Sequence, residues 1–545
     1  MADDQKDVWT LGRPAKDAYD DLAKDRQGPL EKGRELSAII IPSLLPPDGY
    51  KSGDTLPPPN QSFLAKLANT LASKLMLVAF PPGQPMMRHE IIEHKLQGEI
   101  DADPELYSEI ELALSRKEEA HRKRLASTNI TAAYTEFMRL LLAGGGNALW
   151  QQTDIDYPVV HKMDSYVVER DSKGRVQTVI LKETIKFVNL KGPHKQLVRL
   201  VQQQKGLQPS SSNLYDEVVD IYTVQKLDGD EGDQVWLYWQ EYEGTFIPDT
   251  DAEAPLEVPI LYAGWLVPRY KQNWGGSYAE EYEGDMFTVE NHRGSLNDGS
   301  EFASFLLWFL KPGSATSKRS IEEAENGKIL TGDAEDLSTP KTDKNADFGF
   351  VMENLEAVKQ DLAAAWLAMS SIQRDAERVT AEEIRALAGE LDQAMGGLYT
   401  VLAQGPQRHV VKRFLQLHEE TDEAIPQLPK EIVSTSVITG IDALGRSVEF
   451  DKLVTLGRAA KETLGEAVAQ EFNPGDYTRR LCAALGIKPD GLVKSREQKA
   501  AEAAEAKQDM TQQTLLEEGT APVAKAAADG VSKCRKAQPN SKEPQ

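Results

Sequence analysis

The chain has 545 residues, 40% of them hydrophobic, and sets 62 Lys and Arg against 86 Asp and Glu for a formal charge of −24 at pH 7. Such a length exceeds one core and such an apolar fraction can fill several, which excludes wholesale disorder. The charge excludes a chain built as a whole to grip nucleic acid, because that requires clustered cations to displace phosphate counterions; a local basic element, or a surface that DNA slides past, stays compatible.

Two cysteines, Cys482 and Cys534, in a chain this long fit a reducing compartment. The N-terminal residues lack a basic stretch followed by an apolar one, so no signal peptide is expected. The longest uncharged apolar run, Phe302-Ala-Ser-Phe-Leu-Leu-Trp-Phe-Leu310, is roughly half of the ~20 residues that span a bilayer, so a soluble protein without a membrane partner is expected.

In chain order, residues 14–26 predict a short polar helix with Pro14 in its first turn. Residues 41–60 hold six prolines and predict an extended connection. Residues 61–80 repeat Leu64, Leu67, Ala68, Leu71, Leu75, Val78 and Ala79 at the helical period, giving a helix with one buried face that stops at Pro81-Pro82-Gly83. A charged helix follows from Pro104 to about Leu125. Ser127 or Thr128 can cap a third, which ends at Gly144-Gly145-Gly146. That glycine run lacks the Lys-Ser/Thr of a phosphate loop and reads as a helix end.

From Asn147 the period changes to two. Residues 166–170 and 176–181 predict a hairpin about Asp171-Ser-Lys-Gly174; residues 218–224 and 234–242 predict a second pair joined by Asp228-Gly-Asp-Glu-Gly-Asp233. This acidic turn lacks the spacing and terminal Glu of a calcium loop and reads as solvated.

Ser277 can cap a long helix over 278–304 with a concentrated negative stripe: Glu280, Glu281, Glu283, Asp285, Glu290, Asp298 and Glu301 against Arg293. Residues 305–350 are short and mixed. Their entering run, residues 305–310, is too apolar for water and suits a buried strand or a subunit contact. Residues 353–372 then place Leu355, Val358, Leu362, Ala365, Met369 and Ile372 at alternating three and four, a seam for helix against helix within the chain or between subunits. A charged loop with Arg374 and Arg378 breaks it. Thr380-Ala-Glu-Glu383 forms a capping box, and the next helix runs to Gly405-Pro406. Smaller helical segments occupy 449–470 and 474–485. The last fifty residues are low in complexity, with eight bases and eight acids, and read as frayed helix or disorder.

No chemistry emerges. His89-Glu-Ile-Ile-Glu-His94 spaces its histidines five apart, which on a helix separates them by about 140° and breaks a zinc-protease pattern. Nucleophile elbows, Cys-x-x-Cys pairs and phosphate loops are missing from the sequence. The residues thus predict an acidic α+β protein, mainly helical, of structural or interaction type, with no catalytic residue, no cofactor and no metal.

Four stretches in register resemble the portal proteins, or head-to-tail connectors, of short-tailed podovirus-type bacteriophages: Ile41-Pro-Ser-Leu-Leu-Pro46, Leu71-Ala-Ser-Lys-Leu-Met-Leu-Val-Ala-Phe-Pro81, Ser165-Tyr-Val-Val-Glu-Arg-Asp171, and Arg378-Val-Thr-Ala-Glu-Glu-Ile-Arg385 followed by Gly396-Gly-Leu-Tyr399. They extend over roughly residues 18–490. The resemblance implies a homo-oligomeric ring, usually a dodecamer, at one capsid vertex of the virion, assembled in the host cytoplasm. Its axial channel passes double-stranded DNA during packaging and ejection. The implied partners are the terminase packaging motor, a tail adaptor, and capsid and scaffolding proteins. The implied portal fold divides into a wing (1–265), a first stem helix (266–304), a clip (305–350), a second stem helix (351–372), a tunnel loop (373–380), a wing helix (381–425), a helical crown (426–494) and the C-terminal tail (495–545). Arg374 and Arg378 become candidates for transient phosphate contact, and the seven acids a lining that repels the duplex. A phage scaffold or tail adaptor that is not a portal fits the same charge and seam.

Overall fold

The computed structural model describes residues 9–51, 53–81, 86–91, 104–204, 218–230, 232–304, 309–314, 316–324, 326–327, 329, 333–338, 345–368, 381–422, 433–437, 445–464, 477–478 and 481–482. Two compact units divide the chain, Met1–Asp101 with Arg116–Gly445, and Ala102–Ser115 with Arg446–Gln545. Helix and sheet are mixed in the larger.

The period of two is realised in an antiparallel sheet of β4 (Tyr166–Arg170), β5 (Val176–Lys186), β6 (Val218–Asp228) and β7 (Val235–Tyr242), with the short β8 (Thr245–Phe246) and β9 (Ala252–Pro255) both on β7. Successive side chains leave opposite faces of a strand, so Tyr166, Val168, Val179, Leu181, Trp236 and Tyr238 enter one core. Val167, Ile180, Tyr222, Val224, Leu237 and Trp239 enter another on the far face, against Ala15, Ala18 and Tyr19 of α1 (Ala15–Ile40).

Helix α1 is the first departure from the sequence expectation, which stopped it at Arg26. It continues through Gly28 and Pro29 because its later turns are buried: Leu36 and Ile40 are nearly inaccessible, Ser37 Oγ donates to the Ala143 carbonyl (3.2 Å), and Gly33 lies against Gly145. Tertiary burial here outweighs the local breakers.

The main core gathers α2 (Phe63–Ala79), whose seven periodic residues are all buried as expected, and α4 (Ile130–Ala143). Between them in sequence come β1 (Met87–Ile91) and α3 (Pro104–Ala126). The Ser127 and Thr128 hydroxyls donate to the Arg124 and Leu125 carbonyls and close the end of α3. Thr128 Oγ1 also accepts from the Ile130 N–H (3.4 Å) at the start of α4, while Asn129, in the cap position itself, makes no side-chain bond. Strands β2 (Asn147–Gln151) and β3 (Val159–His161) form a small antiparallel sheet with β10 (Leu261–Trp265). The His89 segment is β1, a strand, pairing antiparallel with the late strand Val433–Val437; His94 lies outside the described residues.

The helix expected to end at Gly405-Pro406 is instead several pieces: Ala381–Met395, a break at Gly396 with φ of 52°, Gly397–Leu402, a π-helical turn Ala403–Gln407, and Arg408–Thr421. A π turn lets the chain pass Pro406, whose missing N–H would end a regular α-helix. In the smaller unit, the helix running from Gly445 to Leu464 accepts a hydrogen bond at the Leu453 carbonyl from Tyr477 Oη (2.8 Å), and Cys482 is buried with a free thiol.

Four of the described histidines of the larger unit are buried. His121 Nδ1 meets His418 Nδ1 at 2.8 Å, so one proton is shared between them; His89 Nδ1 reaches Thr435 Oγ1 at 2.8 Å. Lys117, paired with Glu419 at 2.6 Å, adds positive charge nearby. His409 stacks on Tyr262 at 4.5 Å, and neither of its ring nitrogens has a hydrogen-bond partner. Burial lowers all four, His89 to about 4 and His121 and His409 to about 3. Above pH 6.5 they are neutral folded or unfolded, but below it the unfolded chain takes up protons first, so stability falls as pH drops toward 4. The urea midpoint should therefore fall from pH 7 to pH 5. His409→Phe, which keeps the stack and removes one titrating group, should shrink that fall; an unchanged pH dependence would contradict the assignment.

Candidate functional site

The acidic segment is positioned by a backbone crossing. Helix α4 ends at Gly144, and Gly145 and Gly146 adopt φ of 88° and 76°. A Cβ on Gly146 would stand 2.1 Å from the carbonyl carbon of Gly276, so the two strands of backbone can pass only with glycine at position 146. Asn147 ties them: its Nδ2 donates to the carbonyls of Gly145 (2.7 Å) and Gly275 (2.9 Å), and its Oδ1 accepts from the Gly275 N–H (2.9 Å). The triple glycine is thus a helix end and a crossing.

The crossing delivers Ser277 to the start of helix α6 (Tyr278–Glu281). Its side chain accepts from the Glu280 N–H while the Glu280 carboxylate accepts from the Ser277 N–H, a reciprocal capping box. The expected single helix turns at Tyr282 and resumes as α7 (Glu283–Ser304). Tyr278 packs 5.0 Å from Trp366, and its hydroxyl donates to the Ala365 carbonyl (3.1 Å). These contacts join the start of α6 to the end of α9 (Asn345–Ala365), which begins before the expected residue 351.

Helices α7 and α9 pack through the main core. Leu355 and Leu362 are buried with Met286 and Val289, and Val358 and Ala365 are partly buried beside them; Met369 and Ile372 lie outside the described residues. Gly299 admits Phe348, whose ring would stand 2.4 Å from a Cβ there. The seam therefore closes one helix on another inside the chain.

The seven acids separate into two sets. Glu280 pairs with Arg269, Glu283 with Lys32, and Glu290, 9% exposed, accepts from the Asn60 N–H (2.8 Å) and Gln61 Nε2 (3.2 Å). The hydrogen bond that Lys32 donates to Glu283 holds its ammonium above its usual range. Glu281, Asp285, Asp298 and Glu301 are exposed. Helix α9 exposes three acids not singled out from the sequence, Glu353, Glu356 and Asp361, although their alternation with the seam was there to read. This hairpin can repel anions along its length. Arg374, Arg378 and Thr380 lie outside the described residues.

Residues 309–310 (β11, Phe309–Leu310) pair with β12 (Leu337–Ser338), the short helix α8 (Lys318–Glu322) lying between them in sequence, yet Phe309 remains 56% exposed, so this end of the apolar run is a strand but not a buried one. Among the described residues no group of three or more His, Cys, Asp or Glu could hold a metal ion, and no helix is long and apolar enough to cross a membrane.

A family model for bacteriophage head to tail connecting proteins matches residues 13–493. The chain is 30% identical over 521 residues to the portal protein of Escherichia phage T7, covering 94% of each. It is 30% identical over 493 residues to that of Enterobacteria phage T3, covering 89% of each. With the portal protein of Pseudomonas phage phiKMV it shares 27% identity over 507 residues, 91% of this chain and 96% of the relative.

Two substitutions test the geometry. Glu290→Ala strands two donors beneath α7 and should lower the unfolding free energy by about 1–3 kcal/mol. Gly146→Ala forces a positive φ and a backbone clash and should cost about 3 kcal/mol or more. Denaturant titration reads both, and a neutral Gly146→Ala would show that the crossing does not hold the site.

Proposed function

The chain belongs to the family of bacteriophage head-to-tail connecting proteins, and from that membership we propose that it is the subunit of a portal ring at one capsid vertex. The match to portal proteins along nearly the whole chain carries this reading. In it the subunits close as a cyclic homo-oligomer, a dodecamer, around a channel for double-stranded DNA. Residues 1–265 supply the wing, 266–304 and 351–372 the stem, 305–350 the clip, 373–380 the tunnel loop, 381–425 the wing helix and 426–494 the crown. The clip faces the terminase motor during packaging and the tail adaptor afterwards, while capsid and scaffolding proteins meet the ring in the virion and its precursor.

The role is mechanical and electrostatic. Each phosphate neutralised by a fixed cation adds binding that every step of translocation must break. Exposed acids on the α7–α9 hairpin would instead repel the duplex, with a reach of about 8–10 Å in salt. Arg374 and Arg378, on the tunnel loop, would supply brief phosphate contacts where the DNA is checked.

Light scattering after size exclusion, with negative-stain imaging, should give rings with the mass of about twelve chains; a monomer or dimer at every concentration would leave the scaffold or adaptor reading in its place. Arg374→Ala with Arg378→Ala should leave rings intact and change the DNA retained per particle. Unchanged DNA content and phage yield would remove the loop from the mechanism.

A further inference from the structure

One stretch of this acidic chain has the opposite character. From Thr184 to Tyr215 no Asp or Glu occurs, while Lys186, Lys191, Lys195, Arg199 and Lys205 do. The described part folds as the end of β5, a 3-10 turn Phe187–Asn189 and the helix α5 (Gly192–Gln204), over a satellite core of Phe187, Leu190, Val198, Val201, Val219 and Ile221. Lys195 and Arg199, a turn apart on α5, stand 5.9 and 5.8 Å from the Phe187 ring, which places both on one side of this core. Lys186, Lys191 and Arg199 are exposed, and among the described residues none of the four cations forms an ion pair.

Among the described residues, the acids of β5 and β6 near this stretch have other partners. On β5 and β6, Asp220 is taken up by Lys182 (2.8 Å) and Thr184 (2.6 Å), and Glu183 lies 3.4 Å from Thr223 Oγ1. His194 is engaged with Gln240. Helix α5 has no acid in its first turn, and Lys191 and Lys195 flank its positive pole, where cations are disfavoured and an outside anion would be stabilised. Aliphatic side chains lie exposed near the cations of α5: Val188 (40%) in the turn before the helix and Leu200 (56%) on it.

We infer that the outer surface of α5 and of the 3-10 turn before it docks an acidic protein segment bearing aliphatic side chains. Charge complementarity sets the sign of the partner. The aliphatic residues set its class, since a phosphate backbone would leave them in water, whereas an amphipathic acidic segment covers them and meets the cations at the rim. The inference does not depend on ring formation.

The test uses the full chain and three probes: a synthetic helical peptide of Glu and Leu, the same peptide with Gln for Glu, and a short mixed-sequence DNA duplex, each followed by fluorescence anisotropy at physiological salt. The Glu peptide should bind more tightly than the other two. Lys191→Glu, Lys195→Glu and Arg199→Glu together should weaken it by about tenfold or more, Lys195→Gln with Arg199→Gln by less, and Val188→Ser with Leu200→Ser should also weaken it. Equal binding of the Gln peptide, indifference to either set of charge changes, or a duplex that binds more tightly and ignores Val188→Ser with Leu200→Ser would each overturn the inference. The last result would make the face a phosphate-binding surface instead.

Discussion

The arrangement of the acidic helices depends on one close approach, the passage of Gly146 over Gly276. Any side chain at Gly146 would occupy the space of the other backbone. Because it has none, the end of α4 and the start of α6 share the side chain of Asn147, and three hydrogen bonds fix where Ser277 begins its helix. From that point the capping box, the Tyr278–Trp366 contact and the buried carboxylate of Glu290 aim α7 and bring α9 back alongside it. The sheet and the helical hairpin are in this way built from one junction, and the direction of the hairpin is inherited from a helix that ends more than a hundred residues earlier in the sequence.

A formal charge of −24 is a sum over residues doing different work. Glu280, Glu283 and Glu290 hold the hairpin to Arg269, Lys32 and the Asn60–Gln61 turn, where a paired or hydrogen-bonded carboxylate contributes to geometry. Glu281, Asp285, Asp298, Glu301, Glu353, Glu356 and Asp361 stay exposed to water and leave a negative field along the hairpin. The acid-free face around α5 is the counterpart, a local positive surface in a negative subunit.

Much of this was legible in the sequence, and the rest failed for definite physical reasons. The period-two hairpins, the α2 face and the Ser277 cap are local patterns, and they fold as read. So is the Leu355–Leu362 seam, which the structure closes inside the chain. Helix α1 was cut short because Gly28 and Pro29 speak locally, whereas the burial of Leu36 and Ile40 is decided by α2 and α4 far along the chain. The passage through Pro406 needed a π turn, which has no residue signature of its own. The spacing around His89 carries no strand signal, and its strand exists only because Val433–Val437 pairs with it. Family membership was legible in four short motifs, but the division of the acids into structural and exposed sets required their partners, most of them distant in sequence.

On the proposed reading, exposed acidity on the α7–α9 hairpin lets a DNA duplex pass without being held. The most direct test reverses Glu281, Asp285, Asp298 and Glu301 to Lys in assembled rings and measures duplex affinity against salt together with the length of DNA packaged per particle. The expected result is tighter, steeply salt-dependent binding with less DNA packaged. Rings that bind the duplex no more tightly and package a full genome would contradict it.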